Sequence, residues 1–562
     1  MSTLHPSGTT QSSPGRWPEG AIVYQIYPRS FYDSDGDGIG DIPGITHKLD
    51  YIKGLGVNAI WLSPFYPSPM ADFGYDVADY CDVDPIFGNL ADVAELLDQA
   101  HARDLRVIID LVPNHTSDEH KWFRQSRQSR EGHYSDWYIW RDAVGHDSAG
   151  QPLPPNNWVE VLTGGSAWEW EPARQQFYLH SFDVRQPDLN WSNPAVHDAI
   201  KQAMRFWLDK GVDGFRVDAV HFMAKDPLFR DDPVNPHYVA GKDSRYGALQ
   251  HVNNHGWPPL YAYLAELAAV LKEAKYQQSE RFMVTEAYPD TSHPVAEYLD
   301  FYKGMDPAVA APFNFEGFSL PWQAEAWRSF LEPFHSALDS LSPLCVASYA
   351  FGNHDQHRLV TRLGESAARS AAVMLLTLPG MVFIYNGDEI GMKNGEIPLD
   401  QIQDPGAQGG AGRDPERTPL QWTAGQNAGF STAAKTWLPV AANYPTHNIE
   451  TESLDPDSFL SLYRQLGQLR DQSESLRRPE FRVITTANSK VLGYVRGGAA
   501  EQYTVLVNFS PTTQNVNLPA ESPLGDFVLS SDARTKSLSS PNGKVHLRPH
   551  EAVVFVSPRS AS

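Results

Sequence analysis

The sequence predicts an α/β protein built on a parallel (β/α)8 barrel, with an insert after the third strand and a C-terminal antiparallel β domain. Short apolar runs alternate with amphipathic helices from about residue 21 to residue 392. Near-continuous apolar strands separated by helices are typical of a parallel sheet covered on both faces. The alternation stops between residues 116 and 192, and after about residue 483 it gives way to short alternating strands.

Eight strands are expected in the barrel. Seven apolar runs are clear candidates, at residues 21–27, 59–62, 106–112, 212–217, 282–285, 345–349 and 381–385. A weaker candidate at 311–315 brings the number to eight, which fits a closed barrel better than an open sheet. Amphipathic helices are predicted at residues 90–103, 194–210, 260–274 and 365–378.

The same pattern divides the chain into segments. Residues 1–18 are rich in Ser, Thr, Pro and Gly and lack the apolar centre of a signal peptide, so we expect a disordered leader on a cytoplasmic protein. Residues 19–115 and 193–475 are predicted to form the barrel, residues 116–192 the insert, and residues 476–562 the C-terminal domain. No apolar run reaches the roughly 18 residues that a membrane-spanning helix needs.

Charge and cysteine content exclude several classes of function. The 562 residues carry a formal net charge of −23, which repels phosphate backbones and anionic lipid, so neither nucleic acid nor membrane is an expected partner. Two cysteines cannot make a disulfide scaffold or a cysteine-based zinc site. No organic cofactor is expected, and the chain is predicted to be a monomer or a small homo-oligomer.

Carboxylates stand at the predicted carboxyl ends of four strands, which form the active-site face of such a barrel. Asp110 ends the third strand, Asp218 the fourth and Glu286 the fifth, while the seventh leads to Asp355. Each of these residues alone is more often a helix cap or a turn residue. Their shared position at successive strand ends is what indicates a site.

Two of these carboxylates suggest glycoside chemistry. Arg216 lies two residues before Asp218, so both point to one side of a strand, and the arginine is expected to keep Asp218 ionised. Glu286 follows an apolar run that could raise its pKa. A retaining glycosidase needs an ionised nucleophile beside a carboxylic acid, so we assign Asp218 as nucleophile and Glu286 as acid/base. The alternative is a structural Arg–Asp pair and a capping glutamate.

Several segments carry a resemblance to a known family. Residues 110–115, 214–218 and 351–355, together with Glu286, resemble the ordered conserved regions of the α-amylase family, glycoside hydrolase family 13. Residues 186–191 and 413–422 resemble its oligo-1,6-glucosidase and α-glucosidase branch. The resemblance runs from about residue 17 to the C-terminus. It implies the barrel, an insert known as domain B, and a C-terminal β-sandwich.

The resemblance also implies roles for single residues. Asp218 matches the nucleophile, Glu286 the proton donor and Asp355 a third carboxylate that grips sugar hydroxyls. The residues that match the wall of the glucose subsite are Asp72, Tyr75, His115, Arg216, His354 and Arg417. Arg417 is expected to close on Asp72 and block the far side of the subsite, which predicts removal of one glucose from a chain end. Phe182 is predicted to lie beneath the sugar, although core packing would explain it equally well.

The residue after the nucleophile is expected to set the linkage. In similar enzymes a valine there accompanies α-1,6 specificity, and a small or hydroxylated residue accompanies α-1,4. This chain has Ala219. One or two methyl groups beside the leaving-group site are worth about 1–3 kcal/mol. Maltose and short α-1,4-linked oligosaccharides are therefore the predicted substrates.

A separate acidic loop predicts a metal site. Residues 33–41 read DSDGDGIGD, with alternate carboxylates and glycines that allow a tight wrap. Residue 44 is Gly where an EF-hand needs a bidentate Glu, so the loop is not an EF-hand. In the resembling family this loop holds a structural ion, and the predicted Ca²⁺ or Mg²⁺ ligands are Asp33, Asp35, Asp37, the Ile39 carbonyl and Asp41. A solvated acidic turn is the alternative.

The sequence thus predicts a retaining, exo-acting α-glucosidase that acts on small oligosaccharides through a covalent glucosyl-Asp218 intermediate, with some transglucosylation. One alternative is an isomerase of the same family, such as a trehalose synthase or a sucrose isomerase. Another is a non-catalytic binding subunit. The last fits poorly, because Asp218, Glu286 and Asp355 are all present.

Overall fold

The computed structural model describes residues 16–289, 293–407, 410–497, 501–518, 524–538 and 544–558. Residues 1–15 of the predicted leader therefore lie outside the described residues. Across the described ranges, no helix combines the length and the apolar character that crossing a membrane would require.

Eight parallel strands form the barrel. They are β1 (Ile22–Ile26), β2 (Ala59–Leu62), β3 (Arg106–Leu111), β4 (Gly214–Val217), β5 (Phe282–Thr285), β6 (Ala310–Pro312), β7 (Ser348–Ala350) and β8 (Met381–Tyr385). Each strand pairs with its sequence neighbour, β8 pairs with β1, and a parallel bridge between Asn314 and Tyr349 joins β6 to β7. Almost every strand residue is buried, because helices cover the outer face and side chains fill the inside. The predicted barrel is confirmed.

Helices surround the barrel and follow its strands. The main ones are Leu90–His101, Pro194–Asp209, Pro259–Leu271, Pro294–Gly304, Ala324–Leu341, Glu365–Thr377 and Phe459–Gln472. Shorter helices are Ile42–His47, Leu49–Lys53, Lys121–Ser126, Glu316–Ser319, Leu359–Leu363, Ile449–Ser453 and Glu474–Arg477. The four helices expected from the sequence are present, with ends that differ by up to three residues.

The insert after β3 has a small core of its own. Its antiparallel sheet has three strands, in the order Trp140–Arg141, Gln176–Leu179 and Trp168–Glu171, and a hairpin joins Gly145–His146 to Pro152–Leu153. Trp158 and Trp168 are buried and stacked against each other with ring centroids 6.1 Å apart. These tryptophans therefore serve packing.

The C-terminal strands form the expected sandwich. One antiparallel sheet has the order Phe481–Ile484, Val491–Gly497, Glu501–Asn508, Ala552–Pro558 and Asp526–Ser530, and the other pairs Gln514–Asn517 with Lys544–Leu547. Leu506 packs against the second sheet, while its neighbours Val505 and Val507 join the main core that contains the barrel. The larger sheet is therefore buried on both faces, which fixes the sandwich against the barrel.

A buried arginine ties the last long helix to the amino-terminal side of the barrel. The guanidinium of Arg470 is fully buried and donates to four backbone carbonyls, those of Gly20, Leu376, Leu378 and Gly380, at 2.6–2.8 Å. These carbonyls belong to the segments that lead into β1 and β8. One side chain thus satisfies backbone acceptors that would otherwise be buried without a donor.

Candidate active site

The carboxyl ends of the barrel strands enclose a cavity of about 420 Å³. This volume lies in the range of small-molecule sites. The predicted residues that line it are Asp72, Tyr75, His115, Phe182, Asp218, Glu286 and Asp355. The structure therefore brings together residues from five different loops and strand ends, as the barrel topology predicts.

Arg216 is the centre of the carboxylate cluster. Its Nη1 donates to Oδ1 of Asp110 at 2.7 Å and also contacts Oδ1 of Asp218. Its Nη2 lies 2.8 Å from Oε1 of Glu286. Arg216 is held in the barrel by β4 and is only 1 % exposed. One buried guanidinium thus fixes both candidate catalytic carboxyl groups at close range.

The backbone after the nucleophile also positions the acid. Ala219 adopts a left-handed conformation with φ 46° and ψ 38°, which is uncommon for a residue with a Cβ. In this conformation its N–H donates to Oε2 of Glu286 at 2.8 Å. The hydroxyl of Tyr288 donates to the other oxygen, Oε1, at 3.2 Å. Glu286 is therefore held in place by Arg216, the Ala219 N–H and the Tyr288 hydroxyl.

The charges of the cluster are strongly coupled. Burial raises the pKa of Asp218 well above its usual range; Arg216 opposes this effect and the neighbouring Glu286 adds to it. Burial also raises the pKa of Asp110 to about 6. Arg216 acts on the pKa of Asp218 in the expected direction, but burial has the larger effect, and the ionised state of Asp218 stays a prediction.

Asp355 has the opposite electrostatic environment. Burial alone would raise its pKa, but the neighbouring His354 and three guanidinium groups hold it well below the usual range. Oδ1 accepts from Arg417 Nη2 at 2.6 Å and from Arg413 Nη1 at 3.3 Å. Asp355 is therefore ionised at neutral pH and serves as a fixed negative charge in the wall of the cavity.

The arginine that closes on Asp72 is Arg413, and the predicted Asp72–Arg417 clamp is wrong. Arg413 Nη2 lies 2.7 Å from Asp72 Oδ1 and 2.6 Å from Asp404 Oδ1. Arg417 instead donates to the backbone carbonyl of His354 and to Asp355. The two arginines are four residues apart around a short 3-10 helix, Asp414–Glu416, so only one of them can reach Asp72.

Two stacked rings form the floor near this clamp. Tyr75 and His354 lie parallel with centroids 5.3 Å apart, and the Tyr75 hydroxyl is 2.7 Å from His354 Nε2. Gln25 Nε2 lies 2.8 Å from the other ring nitrogen, Nδ1. Burial lowers the pKa of His354 to about 3, so this imidazole is neutral at ordinary pH. The Gln25 amide donates to Nδ1, so neutral His354 carries its proton on Nε2, which lies 3.2 Å from Asp355 Oδ2.

His115 and Phe182 lie on the opposite wall. Their ring centroids are 5.2 Å apart, and Phe182 also meets Phe222 edge-on at 5.1 Å. Gln186 links this wall to the clamp, because its Nε2 lies 3.1 Å from His115 Nε2 and 3.2 Å from Asp72 Oδ2. Phe182 therefore lines the cavity and also packs against its neighbours, and its position beneath a bound sugar stays a prediction.

Some site residues were missed by sequence reasoning. Arg413 and Gln186 lie inside segments that had been recognised, but nothing in their spacing indicates which member of a motif reaches the cavity. Tyr288 follows Glu286 by two residues. Tyr246 and His255 also line the cavity, and they come from a long stretch after β4 that has no periodic pattern.

The acidic loop after β1 brings three carboxylates together. Oxygens of Asp33, Asp35 and Asp37 lie within 4.8 Å of one another, with Asp33 buried and the other two exposed. Asp33 accepts three backbone N–H bonds, which fix its orientation. Asp41 is placed differently, since its Oδ1 caps the helix Ile42–His47 by accepting from Gly44 at 2.6 Å. Oxygen donors at this spacing suit Ca²⁺ or Mg²⁺.

Comparison with known proteins gives matches along most of the chain. A family profile described as alpha amylase, catalytic domain, matches residues 25–479. An α-glucosidase of Apis mellifera is 41% identical over 517 residues, covering 89% of this chain and 87% of that protein. An oligo-1,6-glucosidase of Parageobacillus thermoglucosidasius is 36% identical, covering 96% and 98%.

Comparison with solved structures also gives matches along most of the chain. The α-glucosyl transfer enzyme XgtA superposes with a TM-score of 0.86 at 37% identity, over 97% of this chain and all of that one. The trehalulose synthase MutB of Pseudomonas mesoacidophila superposes with a TM-score of 0.82 at 32% identity, again over 97% and 100%.

Proposed function

Since the chain belongs to the α-amylase family of glycoside hydrolases, we propose that it is a retaining, exo-acting α-glucosidase. It releases glucose from the non-reducing end of maltose and short α-1,4-linked glucosides. The observation that carries this proposal is the single guanidinium of Arg216 between Asp218 and Glu286. Two carboxyl groups that share one arginine are close together, and close spacing of about 5 Å is what double displacement requires.

The mechanism follows from the positions of these groups. Asp218 attacks the anomeric carbon while Glu286 gives its proton to the departing oxygen, so a glucosyl ester forms on Asp218. Glu286 then removes a proton from water, which attacks the same carbon and releases Asp218. The first step needs Asp218 as the carboxylate and Glu286 as the acid, and the second step returns both groups to these states. Asp355, which stays ionised, stabilises positive charge that develops on the sugar ring.

Exo action follows from the closed end of the cavity. Asp72 and Arg413 line the cavity and form an ion pair backed by Asp404, and this ion pair would block a further sugar beyond the reactive glucose. A polar wall of this kind binds the hydroxyls of a terminal glucose and leaves no passage for a longer chain. The support for α-1,4 linkage is Ala219, which lines the cavity directly after Asp218 and is small.

One experiment tests the reaction and its stereochemistry together. The enzyme is incubated with maltose, isomaltose, sucrose and trehalose, and the first product is followed by proton NMR. We expect α-glucose from maltose, formed before mutarotation. Asp218→Asn, which keeps the shape of the side chain, should lower kcat by roughly 10⁴-fold or more. Initial release of β-glucose, or retained turnover by the variant, would show that the assignment is wrong.

Isomerisation is the second candidate, because one structural relative is named a trehalulose synthase. Hydrolysis, transfer and isomerisation share the glucosyl intermediate and differ in what attacks it. The same assay separates them: trehalose from maltose, or a sucrose isomer from sucrose, would favour the isomerase. Release of free glucose favours the hydrolase.

We also propose a structural Ca²⁺ or Mg²⁺ at the loop after β1. Asp33, Asp35, Asp37 and the Ile39 carbonyl would hold it, and Asp41 would join only if it shared an oxygen with its helix cap. The ion would cross-link the loop, and the carboxylate chemistry does not pass through it. Elemental analysis of purified protein tests its presence.

Location and assembly are proposals as well. A cytoplasmic location is supported by Cys81 and Cys345, which are both free thiols. The monomer or small homo-oligomer expected from the sequence is tested by light scattering coupled to size-exclusion chromatography.

A further inference from the structure

A strained turn after β2 carries two residues that line the cavity. Asp72 and Tyr75 both belong to this lining, and the Tyr75 N–H donates to the Asp72 carbonyl at 3.1 Å. Between them, Phe73 has a φ of 48°, a left-handed conformation that is an outlier for a bulky residue. Such a conformation persists only where the surrounding structure holds it. The contacts that hold Phe73 therefore also set the positions of Asp72 and Tyr75.

Phe73 packs into a compact group that we call the Arg29 cluster, which consists of Arg29, Phe73 and Trp437. The Cζ atom of Arg29 lies 5.2 Å from the ring centroid of Phe73 and 4.9 Å from that of Trp437. The two ring centroids are 5.5 Å apart. Arg29 belongs to the short 3-10 helix Pro28–Ser30 after β1, and Trp437 precedes the helix Ile449–Ser453. Three separate parts of the chain thus meet at the side chain of Phe73.

Arg29 is buried without the acceptors that a guanidinium usually has. The residue is 8 % exposed, and neither Nε nor Nη1 has a hydrogen-bond acceptor among the described residues. Burial lowers the pKa of Arg29, and the surrounding acidic groups oppose this effect without cancelling it. A buried charge is costly unless attractive contacts offset the loss of water. Two aromatic rings supply such contacts here, so stacking is the interaction that explains where Arg29 lies.

Trp437 is fixed independently of the turn. Its indole Nε1 donates to Ser30 Oγ at 3.0 Å, and its backbone N–H donates to the Gly38 carbonyl, also at 3.0 Å. Both acceptors belong to the segment that follows β1, as does Arg29. Phe73 is the member of the cluster that comes from the turn after β2. The Arg29 cluster therefore joins this turn to the end of β1.

We propose that Arg29 is a positioning residue for the terminal glucose: by stacking on Phe73, it holds the turn that directs Asp72 and Tyr75 into the cavity. The inference rests on the proposed glucosidase function, in which these two residues bind the reactive glucose. Arg29 does not itself line the cavity, so it acts through Phe73 and not on the sugar. Its loss should weaken the binding of glucose more than it slows the chemical steps.

The first test is Arg29→Met, which keeps an unbranched side chain and removes the flat cation. We measure kcat and KM for maltose, and Ki for glucose as a competitive inhibitor. Both KM and Ki should rise roughly 10-fold, the effect of losing a desolvated contact between a guanidinium and a ring. The value of kcat should change less, because the lost interaction serves binding of the ground state and the transition state alike. If KM and Ki stay within 2-fold of wild type, the proposal is overturned.

A double-mutant cycle tests whether Arg29 acts through Phe73. Phe73→Leu removes the ring and should raise KM and Ki by a similar factor. If the two residues work as one unit, the double variant should match the larger of the two single effects. Independent effects would multiply to roughly 100-fold in the double variant, and that result would overturn the proposal.

A matched control separates positioning from stability. Arg106 also stacks on an aromatic ring, with Cζ 5.3 Å from the centroid of Trp17, but it begins β3 at the opposite end of the barrel from the cavity. Arg106→Met and Arg29→Met should both lower the melting temperature. Only Arg29→Met should raise KM and Ki. An equal rise in both variants would show that loss of stability explains the effect, and would overturn the proposal.

A variant that does not fold leaves the test intact. If Arg29→Met cannot be obtained folded, Phe73→Leu exchanges one apolar side chain for another and carries the test alone. A rise in both KM and Ki supports the proposal, and unchanged values overturn it.

Titration calorimetry with glucose separates this inference from the function beneath it, since it needs no turnover. If the wild-type protein releases no glucose from maltose, yet binds glucose more tightly than Arg29→Met does, the glucosidase function fails and the positioning role stands. If the wild-type enzyme is active and the variants keep its KM and Ki, only the positioning role fails.

Discussion

At the scale of single residues, the site depends on which of two arginines reaches which carboxylate. Arg413 pairs with Asp72 and Asp404 and lies 3.3 Å from Asp355, whereas Arg417 contacts Asp355 at 2.6 Å and the backbone of His354. The two therefore serve different steps. In the proposed mechanism, Arg413 would act on binding of the terminal glucose, and Arg417 would act on the charge that faces the reacting ring.

This division predicts different kinetic effects. Arg413→Ala leaves two carboxylates without their partner, a loss of about 2 kcal/mol or more, so KM for maltose should rise roughly 30-fold or more. Arg417→Ala should mainly lower kcat, by about 100-fold, because Asp355 loses its closest cation. Steady-state kinetics on maltose measures both. Arg413→Lys, which keeps the charge but loses the planar fork, should fall between wild type and Arg413→Ala. Equal effects of the two alanine variants on KM would contradict the division.

Ala219 carries a second residue-scale prediction. Ala219→Val should lower the ratio of kcat/KM for maltose to kcat/KM for isomaltose by roughly 10-fold, because the added methyl groups crowd the α-1,4 leaving group. A valine is also strained at φ 46°, so some loss of folded protein is expected. The ratio cancels that loss. Ala219→Ser, which stays small, is the control and should keep the wild-type ratio. An unchanged ratio in the valine variant would remove the argument for linkage.

These residues also show the limit of what the sequence could predict. Asp218, Glu286 and Asp355 were found because strand ends in a barrel converge, which is a property of topology. Arg413 was missed because the choice between two arginines depends on the path of one short 3-10 helix. Tyr246 and His255 were missed because a loop without periodicity gives no signal of where it folds back.

At the scale of elements, long periodic segments and continuous apolar runs were predictable, and the shortest strands were not. Strand β8 and the helix Leu90–His101 follow directly from apolar pattern, and the helix begins at a capping box formed by Asn89 and Asp92. Strand β6 has three residues and ends at Pro312, too few for a periodic signal. It is recognised only because the barrel needs a strand there. The insert was predictable as an interruption but not as a sheet, since its strands have two to four residues.

The acidic loop after β1 gives a prediction at this scale. If the loop binds a divalent ion, an excess of chelator should lower the melting temperature by roughly 2–5 °C, because an ion that binds only the folded state stabilises it by mass action. A variant with both Asp35→Asn and Asp37→Asn should melt at the lower temperature, and the chelator should not change its melting temperature. Asp98→Asn, an exposed aspartate on the helix Leu90–His101, serves as the charge control. No shift, with no ion found by elemental analysis, would rule out the site.

At the scale of the whole molecule, the barrel and the sandwich contact each other around a group of charged side chains. A second cavity of about 420 Å³ is lined by residues of both parts, among them Arg369 of a barrel helix, Asp532 of the sandwich and Glu452 between them. Glu452 is 7 % exposed, and burial raises its pKa from near 4.5 to about 7. Among the bonds described for the Glu452 carboxyl, Oε2 accepts one, from the backbone N–H of Leu460 at 3.1 Å.

The raised pKa of Glu452 predicts a pH dependence of stability. Between about pH 4.5 and pH 7 the folded chain keeps a proton on this carboxyl that the unfolded chain releases, so its contribution to stability falls as pH rises. Glu452→Gln stays neutral at every pH and avoids this loss. Its melting temperature relative to wild type should therefore be higher at pH 8 than at pH 5. Glu450→Gln, exposed on the same short helix, should show no such change. A pH-independent difference for Glu452→Gln would contradict the prediction.

The four carbonyls held by Arg470 have a consequence for how the chain can be divided. A fragment that stops after β8 contains Asp218, Glu286 and Asp355, yet it lacks the guanidinium that its first and last strands require. Such a truncated enzyme should not be obtainable as a stable product, and extending it past residue 470 should restore expression. During synthesis on the ribosome, the barrel would likewise stay unstable until Arg470 has been translated, some 85 residues after β8.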